Sequence, residues 1–130
     1  MLIDSKIFSS FSVDDVEKAR QFYGRTLGLK TSAPMDQLQL DFPGSRVFIY
    51  GKPNHLPATF TVLNFPVENV EDTVDELTAK GVVFEQYDDE YIKTDEKGIA
   101  RSSDCKGPTI AWFKDPAGNI LSVVEGGEQV

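Results

Sequence analysis

Apolar and polar residues alternate along two well-separated stretches of the chain, and each stretch then passes into a helical pattern. Phe11 and Val13 fall on one side of an extended segment; Leu63, Phe65 and Val67 fall on one side of another, because successive side chains of a strand point to opposite faces. After the first segment, Val16, Ala19, Tyr23 and Leu27 recur at i, i+3, i+7 and i+11. After the second, Val70, Thr73, Val74 and Leu77 recur at i, i+3, i+4 and i+7, with one polar member. Both are stripes of an amphipathic helix. Asp14 is the expected N-cap of the first helix, with Glu17 three residues later as in a capping box. Gly28 and Gly81 stand where a C-cap glycine is expected.

The two stretches are copies of one another. Phe11-Ser12-Val13-Asp14-Asp15-Val16-Glu17 matches Phe65-Pro66-Val67-Glu68-Asn69-Val70-Glu71 at a spacing of 54, with four of seven positions identical. The halves also end alike. Asp41-Phe42-Pro43-Gly44-Ser45 precedes a strand candidate from Arg46 to Tyr50, and Asp115-Pro116-Ala117-Gly118-Asn119 precedes one from Ile120 to Val124. Turn residues feeding a strand in this way predict β-hairpins. The closing turns are 74 residues apart rather than 54, so the second half carries about twenty extra residues. These are placed between Tyr87 and Gly107, a polar stretch read as a long loop with a short strand inside it. Further strand candidates are Leu29 to Ala33 and Gln37 to Asp41 in the first half. In the second half they are Val82 to Gln86, a piece of Gly98 to Ser102, and Pro108 to Lys114. The reading is an α+β domain spanning 1–130, built from two βαβββ modules of about 1–53 and 57–130, with His55-Leu56-Pro57 in the linker.

Composition narrows the function classes. The chain has 130 residues, 40% of them hydrophobic and 26% charged, a globular balance for one domain. A net charge of -8 repels phosphate backbones, so nucleic acid is not an expected partner. No apolar run approaches a bilayer span, so no membrane partner is expected. No signal peptide is read at the N-terminus, which makes the cytoplasm the expected location. The single cysteine, Cys105, excludes an intrachain disulfide. No base is placed beside it, so it reads as an incidental thiol. Gly-rich phosphate loops, paired-cysteine zinc motifs and a Gly-x-Ser-x-Gly elbow are absent from the sequence. Asp14, Asp15 and Glu17 read as helix-start chemistry.

Taken in order, Val13-Asp14-Asp15-Val16-Glu17-Lys18-Ala19, Phe22-Tyr23, Leu27-Gly28-Leu29, Leu77-Thr78-Ala79-Lys80-Gly81-Val82 and Trp112-Phe113-Lys114-Asp115-Pro116-Ala117-Gly118-Asn119 resemble the glyoxalase/bleomycin resistance protein/extradiol dioxygenase (vicinal oxygen chelate) superfamily. The resemblance runs over nearly the whole length. It implies cup-shaped mixed sheets with helices outside. Enzymes of the superfamily hold a divalent metal through His, Gln or Glu on the first and last strands of each module; other members take no metal and sequester drugs such as bleomycin. Counted from Asp14-Asp15 and Asn119, the four ligand positions fall on Phe8, Phe48, Val62 and Ser122. None offers an imidazole or a carboxylate, which zinc and its neighbours need. The expectation is therefore no metal and no cofactor.

What remains at those positions is apolar with polar spots, the usual make-up of a ligand pocket. The expected ligand-binding residues are Phe8, Ser10, Phe48, Tyr50, Val62, Asn64, Trp112 and Ser122, with Ser12 and Arg46 on the same faces. No catalytic residue is assigned. His55 reads as a linker residue, with a general base as the alternative. Tyr87 and Tyr91 flank a loop that is either solvated or a lid. The leading expectation is metal-independent binding of a small, partly apolar or aromatic molecule, as in bleomycin-resistance-type proteins, and not an enzyme. The resemblance implies a homodimer, and the acidic charge would favour a cationic ligand. Two alternatives stay open: a metal-dependent glyoxalase- or dioxygenase-type enzyme with atypical ligands, and a structural or regulatory module whose cup is filled.

Overall fold

The computed structural model describes residues 1–101 and 107–126; Cys105, and Ser102 at the end of one strand candidate, lie outside them. The chain divides into two compact units, Met1–Pro57 and Ala58–Val130. The architecture is α+β, with a mixed four-stranded sheet in each unit and, among the described residues, no closed barrel. No helix among the described residues is long and apolar enough to cross a membrane.

In the first unit, strand β1 (Ser9–Val13) leads into helix α1 (Val16–Arg20), which continues as a π-helical stretch over Gln21–Thr26. Strands β2 (Thr31–Ser32), β3 (Leu38–Phe42) and β4 (Ser45–Gly51) follow. The sheet order is β1-β4-β3-β2. β1 runs parallel to β4, and the other pairs are antiparallel. A parallel pair needs a long crossover, here the whole α1–β2–β3 segment. The alternation read from the sequence sorts the faces: Val13, Leu38, Leu40, Val47 and Ile49 are buried together with Ala19 and Tyr23 of the helical segment. The helix departs from a regular one where Leu27 N–H bonds to the Phe22 carbonyl, five residues back, at 2.9 Å. Tyr23 is fully buried there, with Phe22 edge-on at 5.2 Å and Phe11 at 6.3 Å.

The helix cap lies one residue later than expected. Asp15, not Asp14, is extended and accepts from the Lys18 N–H at 3.1 Å; Asp14 is exposed. The second unit repeats the device at Asn69, which accepts from the Asp72 N–H at 2.9 Å. Asp15 and Asn69 are equivalent in the repeat, so the cap aligns better than the acidic pair that drew attention to it. Gly28 and Gly81 have φ of 71° and 97° and stop their helices as anticipated.

The second unit contains β5 (Thr61–Val67), α2 (Val70–Ala79), β6 (Ile99–Ala100), β7 (Ile110–Lys114) and β8 (Ile120–Glu125), in the sheet order β5-β8-β7-β6. Its core is Val70, Val74, Val82, Phe84, Ile99, Ala111, Phe113, Leu121 and Val123, among others. The expected strand from Val82 to Gln86 does not form. It contributes one bridge, Phe84 to Phe113, and a bond from Glu85 N–H to the Trp112 carbonyl at 2.8 Å. The reason is competition for one edge. β6 takes Ile110 and Ala111 of β7, leaving only the far end of that edge to residues 84–85. Gly98 sits where the two segments meet.

The extra residues fold on themselves. Thr94 N–H bonds to the Tyr87 carbonyl at 2.9 Å, Tyr87 N–H bonds to Thr94 Oγ1, and Asp88 bridges to Lys93. Beyond them, Lys97 and Arg101 both reach Glu71 on α2, at 3.1 and 3.0 Å, and Arg101 also reaches Asp95 at 2.9 Å. Lys97 first, then Arg101, holds the Glu71 carboxyl below the usual glutamate range.

Candidate functional site: the sheet faces opposite the helices

Because alternate residues of each strand enter the core, the intervening residues share the other face. In the first unit this face carries Ser10 and Ser12 of β1, Arg46, Phe48 and Tyr50 of β4, and Gln39 and Asp41 of β3. The register sets Ser10 beside Phe48, Ser12 beside Tyr50, Gln39 beside Phe48 and Asp41 beside Arg46. The Phe48 and Tyr50 rings stack at 6.1 Å and 21°. Ser12 Oγ shares a hydrogen bond of 2.6 Å with His55 Nδ1, so the histidine of the linker comes back onto β1. Gln39 Nε2 donates to Asp41 Oδ1 at 2.7 Å. Gln39, then Ser32, by hydrogen bonds, and Lys30 by its charge, keep the Asp41 carboxyl below the usual aspartate range.

Phe8 lies just ahead of β1 rather than within it and is 52% exposed. The Arg46 guanidinium sits 4.4 Å above the centre of its ring. This stacking directs Arg46 away from Asp41, its neighbour on β3. A groove of about 600 Å3 opens alongside, lined by Ser5, Lys6 and Ile7 of the N-terminal segment and by Asp41, Ser45 and Arg46 of the β3–β4 hairpin, among others.

In the second unit, Asn64, Ser122 and Trp112 form one rung across β5, β8 and β7. Ser122 is fully buried, and its hydroxyl donates to Asn64 Oδ1. Trp112 Nε1–H donates to Thr61 Oγ1 at 3.1 Å, and Tyr87 meets the indole edge-on at 5.5 Å. Val62 falls at an irregularity in the β5–β8 register, so the residue opposite Ser122 is Asn64. Tyr91 is 81% exposed.

The expected ligand-binding residues thus fall into two groups, each within its own unit: Phe8, Ser10, Phe48 and Tyr50 in the first; Val62, Asn64, Trp112 and Ser122 in the second. Alternation located the faces. It carried no signal for partners far away in sequence, so the Arg46–Phe8, Ser12–His55 and Trp112–Thr61 pairings come from the structure alone.

The chemistry of the donor set does not fit a metal of the kind the fold implies. Two phenyl rings, an isopropyl group and a hydroxyl already bonded to an amide oxygen hold the four positions. Among the described residues, no three His, Cys, Asp or Glu side chains are grouped to hold a metal ion.

Comparison with known proteins bears on the fold and the superfamily. Residues 10–40 match the family described as bleomycin resistance protein-like N-terminal. No curated protein sequence matches the chain. Solved structures with the same fold include an integron cassette protein from the mobile metagenome of V. cholerae, 22% identical, covering 97% of this chain and 98% of that one, with a TM-score of 0.62. A lactoylglutathione lyase from Agrobacterium tumefaciens is 17% identical, covering 92% of each chain, with a TM-score of 0.62. A glyoxalase/bleomycin resistance protein from a Streptomyces species is 21% identical, covering 91% of this chain and 99% of that one, with a TM-score of 0.56. The chain is thus similar over residues 10–40 to the bleomycin resistance protein-like N-terminal family, and it shares its fold over nearly the whole length with structures that include a lactoylglutathione lyase and a glyoxalase/bleomycin resistance protein.

Proposed function

We propose that the protein binds a small, partly aromatic molecule without a metal, on the face of the first sheet opposite α1. The observation that carries this reading is the stacked pair Phe48 and Tyr50 on β4, flanked by Ser10, Ser12 and Arg46. Two parallel rings on a rigid strand offer a platform for a planar ligand. The serines and the guanidinium beside them can orient its polar groups. A glyoxalase/bleomycin resistance protein with the same fold is consistent with a binding role. A lactoylglutathione lyase shares that fold too, but the four ligand positions here lack the donors that a metal-dependent enzyme of this superfamily uses.

The test is titration of isotope-labelled protein with 2-naphthalenemethanol, a neutral planar probe, followed by amide NMR shifts. The expected result is saturable movement of amides in β1 and β4, weakened in Phe48→Ala. Binding left unchanged by Phe48→Ala, or shifts confined to the second unit, would sink the proposal.

A further inference from the structure

We infer that the ligand of this face carries a carboxylate, received by Arg46, so that an aromatic or otherwise planar acid is the preferred class. The inference rests on the binding face proposed above and names the polar end of its ligand. Arg46, Phe48 and Tyr50 alternate along β4 and therefore point to one side. Residues two apart on a strand are about 7 Å apart, roughly the length of a benzoate-sized group. A ring placed against Phe48 would bring an attached carboxylate to the guanidinium.

Arg46 is prepared for this. Its guanidinium carbon lies 4.4 Å over the centre of the Phe8 ring, a cation–π contact that uses no N–H. Among the described residues Arg46 forms no ion pair or hydrogen bond. Asp41, the carboxylate opposite it in the sheet, is bonded instead to Gln39 at 2.7 Å. The planar fork of arginine matches a carboxylate with two parallel bonds. Lys6, lining the same groove, adds a second positive charge. Asp41 on that groove disfavours a doubly charged group such as phosphate, which leaves the singly charged carboxylate. The overall charge of -8 would favour a cation at long range, but within a few ångströms the nearest charges decide, because salt screens the rest beyond about 8–10 Å.

The experiment compares three probes of one shape: 2-naphthoate, 2-naphthalenemethanol and 2-naphthylmethylammonium. Each is titrated by NMR against the wild type, Arg46→Gln and Lys6→Gln. The naphthoate should bind about tenfold tighter than the alcohol, equivalent to ~1.4 kcal/mol, with the ammonium weakest. Arg46→Gln should remove that preference, so that naphthoate binds no tighter than the alcohol to the same variant; Lys6→Gln should reduce it in part. Naphthoate binding no tighter than the alcohol overturns the carboxylate inference while the wider aromatic reading stands. A preference that persists in Arg46→Gln overturns it as well. If none of the probes moves β1 and β4 amides, the inference falls together with the reading on which it rests.

Discussion

Ser12 Oγ and His55 Nδ1 lie 2.6 Å apart although 43 residues separate them in sequence. The bond ties the segment after β4 back to the C-terminal end of β1, next to Tyr50. A residue that reads as linker in the sequence thus helps to border the proposed binding face.

Removing the hydroxyl tests that tie. Ser12→Ala should destabilise the protein by about 1 kcal/mol, the net worth of a part-buried hydrogen bond, with an unchanged denaturant slope in urea. It should also broaden or shift the His55 ring resonances. Stability equal to wild type together with unmoved ring signals would show that the contact does not hold in solution.

Gly98 is required for two separable reasons. Its φ of 88° is disfavoured for any side chain. In addition, a Cβ there would lie 2.8 Å from Phe84 Cβ and 2.9 Å from the Glu85 carbonyl oxygen. Gly44 has a similar φ of 72° but nothing within 4 Å of such a Cβ. Gly44→Ala should therefore cost about 1–2 kcal/mol from the backbone alone, and Gly98→Ala a further ~1–3 kcal/mol from the forced displacement. Equal losses in urea unfolding would contradict the close approach of residues 84–85 to Gly98.

The Glu71 network predicts a pH dependence. Lys97 first, then Arg101, lowers the folded-state pKa of Glu71 below its ordinary value of 4.5. The stabilisation is fully present above that value and is lost as pH falls through the lower folded-state pKa. Glu71→Gln mimics the protonated form. Its melting temperature should lie below wild type at pH 7, and the gap should close as the pH drops below about 4.5. Because these side chains are 38–44% exposed, added salt should narrow the gap at pH 7 as well. A gap that is constant with pH would argue against the network.

Chelator-treated protein should keep its melting temperature when Zn, Ni, Co, Mn or Fe(II) is added. A native-state ligand at a hundred times its Kd would stabilise by about 2.7 kcal/mol, a shift too large to miss. A saturable rise with any one metal would require donors other than Phe8, Phe48, Val62 and Ser122.

Much of the architecture was legible in the one-dimensional pattern because it depends on local rules. A period of two put Phe11 and Val13 of β1 on one face and Leu63, Phe65 and Val67 of β5 on one face, and the repeat at Phe11–Glu17 and Phe65–Glu71 located both strand–helix starts. Glycines 28 and 81 marked helix ends for the same reason, since left-handed backbone is a property of the residue. Legibility failed wherever two segments competed. Val82 to Gln86 has strand composition, yet β6 had already taken half of the edge it needed. Asp14 and Asp15 are equally good caps by residue type, and it is the Asp15 side chain that accepts from the Lys18 N–H at the helix start.

For the candidate site the division is sharper. The residues themselves determined that Phe8, Phe48, Val62 and Ser122 bring no metal-binding chemistry, because the donor atoms belong to the side chain and no fold can supply them. They also determined that Arg46, Phe48 and Tyr50 share a face. The tertiary structure alone decided that Arg46 stacks on Phe8 instead of pairing with Asp41, that Ser12 meets His55, and that Ser122 spends its hydroxyl on Asn64 while Phe48 lies beside Ser10. Those outcomes depend on strand register and on contacts between distant parts of the chain, and hydrophobic periodicity carries no information about which distant polar groups will meet.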